Sequence, residues 1–154
     1  MEREELKSVQ SKFNQGLQKL DLVRNCLLRL AEIGSVEMDI AAVDKERGEL
    51  TFFLAGSRYY VRIRITDRSI EGVGTDYNVP IGWFDWGAFD VNDVRQKQIQ
   101  SNYFDERGIL CDMEKEEFYC DFSDCDDPRI QEGLLLKLQR LVGQTIARNN
   151  AAHL

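Results

Sequence analysis

Three of the four cysteines, Cys111, Cys120 and Cys125, fall within one short stretch, and clustered thiols are what a zinc site needs. Their C-x8-C-x4-C spacing fits no zinc pattern, Cys26 is remote in sequence, and the one histidine is His153, next to the last residue. Two thiols facing the core of a hairpin behave as small apolar side chains, so no metal is expected. Asp121, Asp124, Asp126 and Asp127 could suggest calcium, but they lack the D-x-D-x-D-G order and the closing glutamate of a calcium loop. Carboxylates just before a helix start are better read as caps that also suit the helix dipole.

Catalytic patterns are equally sparse. A hydrolytic nucleophile needs a nearby base, and the histidine sits in the tail. Gly-x-Ser-x-Gly and the Walker A pattern are absent, and Gly72-Val73-Gly74 lacks the third glycine of a dinucleotide loop. The expectation is a protein that is not an enzyme and takes no cofactor. Recognition has more material. Phe53, Tyr60, Arg62 and Arg64, with Arg58 and Arg68 near the ends, fall on one face of a hairpin and could stack bases or grip a peptide. The blander reading is a sheet face covered by a helix or wetted by solvent, with Glu49 neutralising Arg64. Trp83-Phe84-Asp85-Trp86 either seals a core edge or anchors an interface. The candidate partner- or ligand-binding residues are therefore Phe53, Tyr60, Arg62, Arg64, Trp83 and Trp86.

The elements that must position them are legible in part. Leu6, Val9, Phe13, Leu17, Leu20, Leu27 and Leu30 recur at helical steps, which predicts a helix over 1–33 ended by Gly34. Val36, Met38, Ile40 and Ala42 alternate as a strand. Strands 49–55 and 58–66 follow, joined by Gly56-Ser57, a register that opposes Leu54 to Tyr59, Phe52 to Val61 and Leu50 to Ile63. Residues 70–74 read as a short edge strand, and 75–89, with Pro80, Gly82 and Gly87, as a loop holding at most one short strand. A modest helix over 91–104 would be capped by Asp90 or Asn92. Strands 109–113 and 118–122 flank a four-residue loop, opposing Cys111 to Cys120 and Ile109 to Phe122. Asp127-Pro128 starts a last helix, 128–148, with Ile130, Leu134, Leu138, Leu141 and Ile146 inward and a frayed tail beyond.

A chain of 154 residues fits a single domain with its own core. The expected class is α+β: one antiparallel sheet of about five to six strands with a long N-terminal helix, a short middle helix and a C-terminal helix. A net charge of −7 argues against nucleic acid or an anionic membrane as partner. No apolar run approaches the roughly 20 residues of a membrane span. The charged N-terminus predicts no signal peptide, hence a cytoplasmic protein with reduced thiols. Acidity concentrates in residues 109–127, which hold eight acids and one base.

The order of helix 1–33, strand pair 49–66, helix 91–104, hairpin 109–122 and helix 128–148 resembles the type III secretion chaperone fold, which YbjN-like proteins share. Small size and acidity are similar too. The resemblance implies a homodimer that binds an extended protein segment without turnover. The residues agree in kind, because the stripe from Leu6 to Leu30 is longer than one small sheet can cover. A protein partner and a homodimer, with the first helix or segment 81–104 at the contact, are thus expected. Two other readings are a small-ligand sensor, with the tryptophans closing over a pocket lined by Arg62 and Arg64, and an acidic decoy or immunity protein that blocks a basic enzyme through 112–127.

Overall fold

The computed structural model describes residues 3–67, 80–113 and 116–152. The first element, α1 (Arg3–Glu32), carries Glu4 and Glu5 in its first turn, where the helix dipole favours them. It closes as anticipated on Gly34, at φ 79°. The Gly34 N–H donates to the Ala31 carbonyl (3.2 Å) and the Ser35 N–H to that of Leu30 (3.0 Å), the paired bonds of a Schellman motif. Gly16, costly in a helix, has a tertiary reason. A Cβ there would stand 2.9 Å from Ile63 Cδ1 and 3.0 Å from Phe104 Cζ, so the helix rests on the sheet at a distance only glycine permits.

The strands are β1 (Met38–Ile40), β2 (Glu49–Leu54), β3 (Ser57–Asp67), β4 (Pro80–Ala88), β5 (Gln100–Asp105), β6 (Gly108–Met113) and β7 (Glu116–Cys120). Among the described residues they form one seven-stranded antiparallel sheet in chain order, a meander. The chain ends in α2 (Pro128–Ala152). The α+β class is as expected; the surplus strands are β4 and β5. The proposed strand at 70–74, Arg68, residues 75–79 and His153 lie outside the described residues.

Residues 80–88 are a central strand rather than a loop. Pro80 occupies its first position, where no ladder donor is lost. The glycines that read as loop are covered by cross-strand aromatics: a Cβ on Gly82 would meet the Phe104 ring at 2.3 Å, and one on Gly87 the Tyr60 hydroxyl at 2.5 Å. The expected helix at 91–104 is absent. Asp90 Oδ1 does accept from the N–H groups of Asn92 (2.8 Å) and Val94 (3.0 Å), but this caps a single turn. Val91 and Val94 stay in solvent, so a helix there would bury nothing, whereas Asn102 and Phe104 alternate inward as β5.

Both hairpins pair two residues away from the expected register. In β2–β3 the turn is Ala55-Gly56, with φ 51° and 79°, the signature of a type I′ turn. Leu54 then pairs with Ser57, Phe52 with Tyr59 and Leu50 with Val61. In β6–β7, Cys111 pairs with Phe118 and Ile109 with Cys120, so the two thiols are diagonal rather than opposed. Because side chains alternate with period two, a two-residue slip leaves Phe52, Tyr59, Val61, Ile109, Cys111 and Cys120 on the anticipated buried face. Phe122, expected in the strand, follows it at φ 57° with a buried side chain.

The core lies between one sheet face and the two helices, with Phe52, Tyr59, Val61, Phe84, Trp86 and Phe104 meeting Leu20, Leu27, Leu134 and Leu141. The start of α2 is as anticipated: Asp127 Oδ1 accepts from the Arg129 N–H at 2.9 Å. The helix runs four residues past the expected 148, to Ala152. Ile146 is exposed instead of inward; Thr145, one turn from Leu141, takes the buried place and donates its hydroxyl to the Leu141 carbonyl (2.7 Å).

Candidate binding site

Alternation along β2, β3 and β4 sends Phe53, Tyr60, Arg62, Arg64 and Trp83 to the face away from the helices. Trp86 pairs with Val61 on the opposite, helix-covered face and is fully buried. The two tryptophans therefore do not close together over Arg62 and Arg64. Trp86 seals the core, and Trp83 stands outside.

The outer face is tied by charge. Glu49, Arg62, Asp85 and Ser101 are successive cross-strand partners from β2 to β5. Arg64, not paired to Glu49 as expected, grips Asp85 through two bonds, Nε to Oδ2 at 2.8 Å and Nη2 to Oδ1 at 3.2 Å. The Ser101 hydroxyl donates to the same carboxylate at 2.7 Å. Arg64 also lies over the Trp83 ring, whose Nε1 donates to Thr66 Oγ1 at 2.9 Å. Glu49 pairs with Arg95 from the connection between β4 and β5. That connection also covers Tyr60, whose hydroxyl donates to the Gln96 carbonyl (3.0 Å); burial pushes its phenol up. Of the six candidates, only Phe53, 53% exposed, and Arg62 stand open to solvent.

Among the described residues the sheet ends on β1. The Ala41 N–H donates to the Thr51 carbonyl (3.0 Å), and Asp39 pairs with Phe53, so the ladder's alternation turns the N–H and C=O of Met38 and Ile40 away from β2. Beside this edge Ala31, Val36, Met38, Phe53 and Leu54 line a groove of about 480 Å³, flanked by Glu37 and Asp39. Of the six candidates Phe53 borders this groove; the edge itself was not anticipated. An edge becomes visible only when the order of strands is known.

Two further arrangements escaped the sequence. Lys137 of α2 is buried against the sheet, donating to Gln100 Oε1 (3.0 Å) and Asn102 Oδ1 over the Trp86 ring. The fold also brings Cys26 to Cys125, Sγ to Sγ 3.1 Å, with the Cys26 thiol 3.4 Å from the Phe122 carbonyl. Burial, then the bond to Cys125, pushes the Cys26 thiol up. The bond to Cys120 and burial do the same to Cys111. Among the described residues no group of three or more His, Cys, Asp or Glu is placed to hold a metal. No described helix is long and apolar enough to cross a membrane. No protein-family model, curated protein or solved structure matches the chain.

Proposed function

We propose that this chain is a non-enzymatic, chaperone- or adaptor-like protein that holds an extended segment of a protein partner by strand addition at β1. The observation that carries the reading is the free edge itself: the backbone groups of Met38 and Ile40 point outward beside an apolar groove. An extended peptide supplies the matching main-chain bonds, with alternate side chains entering the groove. Glu37 and Asp39 favour a segment with a basic residue beside its apolar ones. Self-association belongs to the same reading. Phe13 already packs against the core and full burial along α1 starts at Gly16, but Leu6 is 60% exposed, which suits a two-fold contact between the starts of first helices. In the expected segment 81–104, by contrast, β4 is interior to the sheet, and the exposed apolar residues are Val91 and Val94. Light scattering then gives about twice 17.8 kDa; a mass near 17.8 kDa at micromolar concentration removes the dimer.

Selection of a displayed peptide library on the immobilised chain tests the edge. Enriched peptides share alternate apolar residues with a basic neighbour, and Ile40→Pro abolishes their binding without unfolding the chain. The proline removes an outward donor and no bond to β2. Peptides that bind equally well to Ile40→Pro contradict the reading.

A further inference from the structure

The thiol pair between α1 and the segment leading into α2 has chemistry that partner binding does not use. We propose that Cys26 and Cys125 are a redox modification site, forming a reversible disulfide that clasps α1 to the start of α2. The sulfurs are 3.1 Å apart as free thiols, about an ångström beyond the ~2.05 Å of a bond. A second tie holds the same two segments together: Arg29, one turn further along α1, donates from Nε to Asp126 Oδ1 at 2.7 Å. Gln131 fixes the other side by donating to the Cys125 carbonyl at 2.9 Å. Closure therefore needs a side-chain rotation, with no movement of elements.

The two sulfurs have different places in the chemistry. Cys125 is the one cysteine of the four that solvent reaches; Cys26, Cys111 and Cys120 are buried. The buried Cys26 sulfur lies 3.1 Å behind the accessible one, where it can resolve a product formed on Cys125. A hydroperoxide is the matching oxidant. The Cys125 thiolate attacks one peroxide oxygen, the O–O bond breaks, and the leaving oxygen departs protonated, as water when the oxidant is hydrogen peroxide. The resulting sulfenic acid faces Cys26. The Cys26 sulfur attacks the Cys125 sulfur, the S–S bond forms as the S–O bond breaks, and hydroxide leaves as water with the Cys26 proton. Two thiols have lost two electrons, and one peroxide has gained them. The bridge closes a loop between residues 99 apart in sequence, a length at which a cross-link restricts the unfolded chain strongly.

The test treats the folded, reduced full chain with hydrogen peroxide, blocks the remaining thiols by alkylation, and maps the peptides. The expected product loses two hydrogens, links the Cys26 and Cys125 peptides, and leaves Cys111 and Cys120 free. Its Tm rises by on the order of 10 °C and returns on dithiothreitol treatment. Cys125→Ser abolishes bridge and shift, while Cys111→Ala keeps both. A bridge between other cysteines, or oxidation that stops at sulfinic acid on Cys125, overturns the assignment. This outcome is independent of whether β1 takes a peptide.

Discussion

Trp86 and Trp83 stand three residues apart on β4 and meet opposite worlds. Trp86 is fully buried under α2, beside Val61 and the Lys137 ammonium. Trp83 is half-buried on the outer face, held by Thr66 and faced by Arg64. On the inner face apolar shapes interlock: Phe104 fills the space over Gly82, and Phe52 stacks on Tyr59 with centroids 5.6 Å apart. On the outer face, Arg64 is matched to Asp85 across strands and Glu49 to Arg95 of the β4–β5 connection. The lesson is a division of labour. The inner face holds the fold, the outer face ties β3, β4 and β5 together, and the recognition proposed above falls to what neither face covers, the β1 edge.

Substitutions can break this comparison. The largest loss should come from the inner face: Phe52→Ala empties a site that is 1% exposed and costs about 3–5 kcal/mol in denaturant unfolding. A loss below about 1 kcal/mol, ordinary for a surface change, would mean that this face is not the core. The outer face should respond less. Asp85→Asn weakens the clasp of Arg64 and Ser101, and because Arg64 remains partly solvated the loss should be about 1–2 kcal/mol. Parity with Phe52→Ala would erase the distinction between the faces.

The smallest effect sharpens the account through pH. Lys19 is a buried ammonium on α1, and burial lowers its pKa below the ordinary 10.5 despite Asp105, Asp121 and Glu106 nearby. Between that lowered value and 10.5 the unfolded chain binds more protons than the folded one, so this group makes stability rise with pH across the window. Lys19→Met should therefore be slightly more stable than the parent at neutral pH. Its advantage should shrink as pH approaches 10.5. An advantage that does not change with pH would assign the gain to packing alone.

What was legible follows how local each signal is. Gly34 and Asp127-Pro128 announce helix ends by their own backbone chemistry, and both ends lie where they were read. The faces of both hairpins were legible but their registers were not, since a two-residue slip leaves the alternation intact and only the turn geometry at Ala55-Gly56 separates the choices. Strand β4 was hidden because Gly82 and Gly87 look like breakers until Phe104 and Tyr60 cover them from other strands. The Arg64–Asp85 pair was hidden for the same reason, as its partner lay in the unread strand. The approach of Cys26 to Cys125 spans most of the chain and leaves no periodic trace.

The free edge is the central claim, and amide hydrogen exchange along β1 measures it most directly. In the chain alone, Asp39 and Ala41, whose amides face β2, should exchange slowly, and Met38 and Ile40 fast. Adding a library-selected peptide should slow Met38 and Ile40 by at least about tenfold, as newly formed strand bonds require. Slow exchange at Met38 and Ile40 before any peptide is added, or unchanged exchange there after the peptide has bound, would contradict the account.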